Sequence, residues 1–207
     1  MTGKLISIEG GEGAGKSSAM AALREALVAR GVDIVATREP GGTEAGEAIR
    51  AVLLDPARTL CAETELLLMF AARAQLVREV IRPALARGAW VVTDRFTDAS
   101  YAYQSGGRGI DAGRIAELER WVAAIKPDLT FLLDVDVMQG HARIKPRGTM
   151  DRIELEQAEF FQRVRETYLS RALAEPLRFR VIDAGASPEA VERTLLAELH
   201  AWLAQPA

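Results

Sequence analysis

Gly10-Gly11-Glu12-Gly13-Ala14-Gly15-Lys16-Ser17 constrains this chain more than any other stretch. It matches the spacing G-x-x-x-x-G-K-[ST], directly after the apolar run Leu5-Ile6-Ser7-Ile8 and directly before a segment with helical spacing. Glycines let the backbone curl until successive N–H groups point inward, and the N-terminus of the following helix adds partial positive charge. Such a loop holds phosphate. It also dictates local architecture, because a buried strand has to end at Gly10 and a helix has to open near Lys16. On this reading Gly10, Gly11, Glu12, Gly13, Ala14, Gly15, Lys16, Ser17 and Ser18 surround the phosphates of ATP. Lys16 reaches the β- and γ-phosphates, and Ser17 ligates Mg2+.

The same alternation continues along the chain. Strand patterns fall at 32–36, 89–93, 129–133 and 179–182. Helical spacing runs over 16–30, over 63–87 with a break expected near Pro83, over 153–173 and over 188–203. Short apolar strands separated by helices predict an α/β fold, a five-stranded parallel sheet with helices on both faces. No repeat or linker marks a boundary, so 1–207 reads as one domain. Residues 141–151 carry Arg143, Lys145, Pro146, Arg147 and Gly148 with little apolar content, and read as a short surface lid.

Composition narrows the function classes. Acidic groups (29) slightly outnumber basic ones (26), for a net charge of −3, which argues against a nucleic acid polymer as partner. No apolar run approaches the roughly 20 residues that span a bilayer, and the N-terminus lacks a signal-peptide pattern. Cys61 is the only cysteine, which excludes an intrachain disulfide and a cysteine metal cluster. Together these features predict a cytoplasmic protein. The chain also lacks the Asn-Lys-x-Asp signature of a guanine reader.

Asp94-Arg95-Phe96 follows the apolar run Trp90-Val91-Val92-Thr93. This spacing puts Asp94 and Arg95 at the carboxyl end of a central strand, facing the phosphate loop across the crevice of the sheet. There Asp94 can hold Mg2+ through water, and Arg95 can grip the phosphate of an acceptor.

With these elements in place the sequence resembles the bacterial thymidylate kinases over essentially its whole length. The stretches that carry the resemblance are 8–17, Thr37-Arg38-Glu39-Pro40-Gly41-Gly42-Thr43, Asp94-Arg95-Phe96, Ala102-Tyr103-Gln104-Ser105-Gly106-Gly107-Arg108-Gly109 and Asp151-Arg152-Ile153-Glu154. The resemblance implies a P-loop nucleoside-monophosphate-kinase fold and transfer of phosphate from ATP to dTMP, with Mg2+. It implies a homodimer and no membrane. Glu12 resembles the carboxylate near the deoxyribose 3′-hydroxyl, and Arg95 and Arg50 the arginines on the dTMP phosphate, with Arg38, Glu39 and Pro40 in the flanking loop. Arg73, Ser100 and Gln104 resemble the contacts to the thymine edge, and Tyr103 the residue that crowds the sugar 2′ position. Many relatives place a stacking Phe four residues before the arginine. Here that position is Met69 and Phe70 is three before, so either can cover the ring; Phe70 is the first choice. The phosphate loop contains no arginine, so the catalytic cation is expected from the lid: Arg147, with Arg143 toward the adenine or donor phosphates. The stripe Phe160, Phe161, Val164, Tyr168, Leu169 reads as core. Another nucleoside-monophosphate kinase and a nucleotide-binding regulatory module are the alternatives. The first requires a different base pocket, the second a degraded acceptor side.

Overall fold

The computed structural model describes residues 3–144 and 150–205. Five parallel strands form one sheet: β1 (Leu5–Gly10), β2 (Ile34–Arg38), β3 (Trp90–Asp94), β4 (Leu129–Asp134) and β5 (Phe179–Asp183), in the spatial order β2-β3-β1-β4-β5. β1 is buried along its whole length and β4 almost so, as expected of central strands covered on both faces. Every strand pattern read from the sequence is a strand, with ends shifted by one or two residues.

α1 (Lys16–Val28) and α9 (Pro188–Leu203) pack together over one face, burying Leu23, Leu27, Leu195 and Leu199 against Ile6, Ile8, Phe131 and Leu133. α9 spans the predicted 188–203, because Ser187 caps its N-terminus through Ala190 N and Pro188 occupies the first turn. The other face is covered by α3 (Ala62–Leu76), α8 (Ala158–Ala174) and the segment between β3 and β4. α3 does not break at Pro83. The helical path continues through a widened π-type turn, Val77–Ile81, into α4 (Arg82–Ala86). Pro83 has no N–H to give the preceding turn, and the wider turn absorbs that loss ahead of the proline.

Two expectations need correction. The helix expected over 153–173 begins only at Ala158, because the Asp151 carboxylate accepts from the N–H groups of Ile153 and Glu154 and holds that segment as a turn. The lid expected over 141–151 starts inside a helix, α7 (Val137–Arg143), capped by Asp136. His141 packs edge-on against Phe161 of α8. Lys145 and Arg147 lie outside the described residues.

α2 (Glu44–Leu54), α5 (Thr97–Ser100) with its π-type continuation Tyr101–Gly107, and α6 (Ala112–Leu118) complete the fold. α8 lies close on the Tyr101–Gly107 segment because Gly107 leaves room: a Cβ there would sit 2.4 Å from the Phe160 ring. That close approach fixes where Tyr103 and Gln104 stand. Asp98 is fully buried at the root of the same segment, where Arg171 (2.6 Å) and Arg178 (2.6 Å and 3.0 Å) converge on its carboxylate.

Candidate active site

Chain order reverses between β1, which leads into α1 toward β2 and β3, and β4, which leads toward β5. In open parallel sheets, the crevice at such a reversal is where ligands sit. Strand β1 delivers the glycine-rich loop there. The loop needs positive φ at Gly10 (140°), Gly13 (70°) and Gly15 (89°). Lys16 Nζ donates to the carbonyls of Gly10 (3.2 Å) and Gly11 (2.9 Å), bracing the loop from inside. Ala14 is buried, whereas Gly15, Ser17 and Ser18 are exposed. α7 touches the loop directly, since a Cβ on Gly13 would lie 2.1 Å from the Gly140 carbonyl oxygen. Arg143 donates to the carbonyls of Ala184 (2.6 Å) and Gly185 (3.3 Å), at the same end of the sheet.

Arg95 is the hub of the group that faces the loop. It has a left-handed backbone, φ 69°, which is costly for any residue with a Cβ. The register explains the geometry: Asp94 is level with Ile8 of β1 and Arg38 of β2, and Arg95 N donates back to Ile8 O. The turn swings the guanidinium over the loop. NH1 donates to Gly10 O (2.8 Å) and NH2 to Glu12 Oε1 (2.5 Å). Tyr103 Oη donates to the same Glu12 oxygen (2.9 Å), and its ring centroid lies 4.8 Å from the Arg95 guanidinium. Burial opposes charge on Glu12, but Arg95, Lys16 and Tyr103 outweigh it and hold the carboxyl at about 2. Lys16 is shifted downward by burial and by the charge of Arg95.

Asp94 Oδ1 is buried and lacks a hydrogen-bond partner among the described residues. A hydrated cation between Asp94 and the Ser17 hydroxyl would satisfy it, and a hard oxygen pair of this kind suits Mg2+, which keeps most of its waters. No cluster of three or more His, Cys, Asp or Glu side chains offers an alternative metal site among the described residues.

The remaining expected contacts fall into two groups. Around the Arg38–Gly42 loop, Arg50 NH1 donates to Pro40 O (2.8 Å), Pro40 follows a cis peptide, and exposed Arg38 pairs with Glu47 (3.0 Å). Glu39 turns inward instead. It is buried and pairs with Arg73, whose Nε donates to Glu39 Oε2 (2.8 Å) and whose NH1 donates to Ser100 Oγ (3.0 Å). Thus Glu39, Arg73 and Ser100 form one buried group. Gln104 Nε2 donates to Glu65 (3.0 Å), and Gln104 Oε1 is buried without a partner among the described residues. The two candidates for covering a base lie in different clusters. Phe70 is 2% exposed among Leu66, Tyr101 and Ile115, with Arg73 over its ring at 4.4 Å. Half-buried Met69 packs against the cluster that contains Ala99, Tyr103 and Ile153.

Three residues of this region were not singled out from the sequence. Glu9 is fully buried at the end of β1, where it accepts from Phe96 N (2.7 Å) and Tyr168 Oη (2.8 Å). Burial first, and then the charge of Asp98, push its carboxyl up to about 8. Tyr168, expected to be plain core, is 1% exposed, yet its hydroxyl reaches both Glu9 and Arg95. Glu65 is the third. The available signal was an acid set in an apolar run: Glu9 after Leu5-Ile6-Ser7-Ile8, and Glu65 before Leu66-Leu67-Leu68.

A phosphate loop at the sheet's reversal, with an arginine–carboxylate pair held across from it, is what moving a phosphoryl group between two anions demands, and it places the chain among the P-loop phosphotransferases. Comparison with known proteins gives the particular family. The thymidylate kinase family model matches residues 8–195. The thymidylate kinase of Chromohalobacter salexigens is 56% identical over 206 residues, covering 98% of this chain and 97% of that protein. The thymidylate kinase of Alcanivorax borkumensis is 52% identical over 207 residues, covering 98% and 100%. The crystal structure of thymidylate kinase from Ehrlichia chaffeensis superposes with a TM-score of 0.81 at 32% identity, over 96% of this chain and 100% of that one. The chain belongs to the thymidylate kinase family.

Proposed function

We propose that this single P-loop domain transfers the γ-phosphoryl group of ATP to the 5′-phosphate of dTMP, giving ADP and dTDP for dTTP synthesis. The observation that carries the reading is the Glu12–Arg95–Tyr103 constellation, built directly against the phosphate loop, with Arg73, Ser100 and Gln104 all buried. An acceptor phosphate oxygen attacks the γ-phosphorus as the bond to the ADP oxygen breaks. The nucleophile is already an anion, so no strong base is needed, and catalysis rests on alignment and charge neutralisation.

Each residue then has a task. Residues 10–18 and Lys16 hold the donor phosphates, and Arg95 with Arg50 holds the acceptor phosphate, with Arg38 and Glu39 alongside. Glu12 receives the 3′-hydroxyl, and Tyr103 closes the space beside the sugar C2′. Arg73, Ser100 and Gln104 read the base edge. Met69 covers the base face, a role supported by its packing against the cluster that contains Tyr103, whereas the ring of Phe70 is already enclosed. Ser17, with Asp94 through water, would hold Mg2+, which supplies charge neutralisation between the donor oxygens. Arg147 provides the lid cation, and Arg143 borders the donor site.

A homodimer is supported by an open groove of about 770 Å3 between α3 and α6, flanked by exposed Leu67 and Trp121 (81% exposed). Apolar surface of this kind on a soluble enzyme marks an association face. A cytoplasmic location fits the lack of any helix long and apolar enough to cross a membrane among the described residues. The deciding experiment is ADP release with Mg-ATP and each of dTMP, dUMP, UMP, CMP, AMP and GMP. Turnover strongest with dTMP and absent with ribonucleotides is expected. A preference for another acceptor would overturn the assignment.

A further inference from the structure

Glu65 stands in α3 behind the base-reading group, 1% exposed. Three donors from three side chains converge on it. Gln104 Nε2 donates to Oε1 (3.0 Å), Arg108 Nε donates to Oε2 (3.1 Å), and Arg152 NH2 donates to Oε2 (2.8 Å). Arg152 is itself fixed by donating from Nε to Leu53 O (2.8 Å). Burial alone would raise the Glu65 pKa, but the hydrogen bonds from Gln104 and Arg108 outweigh it and hold the carboxyl below its usual range. Glu65 is therefore a carboxylate with acceptor capacity only.

That chemistry decides which way the Gln104 amide faces. An amide turned the other way would set its carbonyl oxygen against a buried carboxylate, a repulsion between two acceptors. With the amino end tied to Glu65, Gln104 Oε1 is left buried and, among the described residues, unpartnered. Such an orphaned acceptor costs about 1–3 kcal/mol until a donor fills it.

We propose that Glu65 is a specificity-determining positioning residue, which locks Gln104 as a pure acceptor toward the base and so admits pyrimidines with an N3–H while rejecting cytosine. The proposal rests on the dTMP reading above. Thymine and uracil carry N3–H and satisfy Oε1, whereas N3 of cytosine is an acceptor and would leave two lone pairs facing each other. Sites built around a buried polar group discriminate far more strongly than apolar pockets against a base that leaves it unpaired. Glu65 itself does not touch the base.

The test is the ratio of kcat/KM for dTMP to that for dCMP in the unmodified chain, its Glu65→Gln variant and its Glu65→Asp variant. In Glu65→Gln the two arginines compete for the single amide oxygen, the NH2 group turns to Gln104, and the Gln104 amide is free to invert. The dTMP/dCMP ratio is expected to fall at least about tenfold, the equivalent of ~1.4 kcal/mol, and to recover in Glu65→Asp. If the wild type prefers dTMP and Glu65→Gln lowers both rates equally, leaving the ratio unchanged, Glu65 is only structural and the proposal fails while the dTMP reading stands. If the wild type does not prefer dTMP, the dTMP reading fails first. Should Glu65→Gln not fold, hydrogen exchange in the unliganded wild type decides. The Gln104 side-chain NH2 resonances, identified by their loss in Gln104→Met, are expected to be protected; free exchange would overturn the clamp.

Discussion

Arg95 combines an unfavourable backbone with a side chain at the centre of the site, and these two properties separate by mutation. At φ 69° a Cβ crowds the neighbouring carbonyl, at a cost of about 1–2 kcal/mol that glycine avoids. Arg95→Gly and Arg95→Ala both delete the guanidinium with its bonds to Gly10 and Glu12, so that loss cancels between them. What remains is the relief of strain, less roughly 0.4–1 kcal/mol for the greater freedom of glycine in the unfolded chain. Arg95→Gly is therefore expected to be the more stable by about 1 kcal/mol, a difference of ~2–4 °C in melting temperature for a chain of this size. At an ordinary φ the sign reverses and alanine wins. Urea unfolding gives the stability difference. Both variants should lose about 100-fold or more in kcat/KM, as when a preorganised charge is removed from a transition state. Equal stability, or a more stable Arg95→Ala, would refute the view that the fold holds Arg95 against its backbone preference in order to aim its side chain.

The Glu12 carboxyl is depressed from 4.5 to about 2, so it favours the folded state above pH 4.5 and ceases to do so as the pH falls toward 2. In that window Glu12→Gln should flatten the acid loss of stability by about 2–3 kcal/mol, allowing for solvent screening, as read from urea midpoints against pH. Asp98→Ala leaves Arg171 and Arg178 without their buried partner and is expected to cost about 3–5 kcal/mol, or ~10 °C by calorimetry. A loss below about 1 kcal/mol would show that the pair is dispensable. Gly140→Ala puts a Cβ 2.5 Å from Glu12 O, displacing the phosphate loop from outside; kcat/KM should fall by about 100-fold in steady-state assays while the fold persists by circular dichroism. Wild-type rates would show that α7 yields without moving the loop.

The strands, the phosphate loop and the charged pair Asp94-Arg95 were legible in the order of residues alone. Strands buried on both faces have to be short apolar runs, and a loop that wraps phosphate needs glycines at set intervals followed by Lys and Ser. Asp94-Arg95 was legible for the same reason, as charge placed just beyond a buried strand. Local pattern also gave the last helix to the residue, through its Ser187 cap and Pro188. It misjudged the start of α8, because the Asp151 turn competes with helix through side-chain bonds that periodicity does not register. Pairings between distant positions depended on the packed fold. Glu65 meets Gln104, Arg108 and Arg152 from 39, 43 and 87 residues away, and Glu9 meets Tyr168 from 159 away. The separation of Met69 and Phe70 into different clusters was also tertiary, since adjacent helix positions point about 100° apart and packing alone sets which cluster each one joins. Residue type and spacing specify which chemistry is present in a chain, whereas which carboxylate orients which amide depends on the helices being brought into contact.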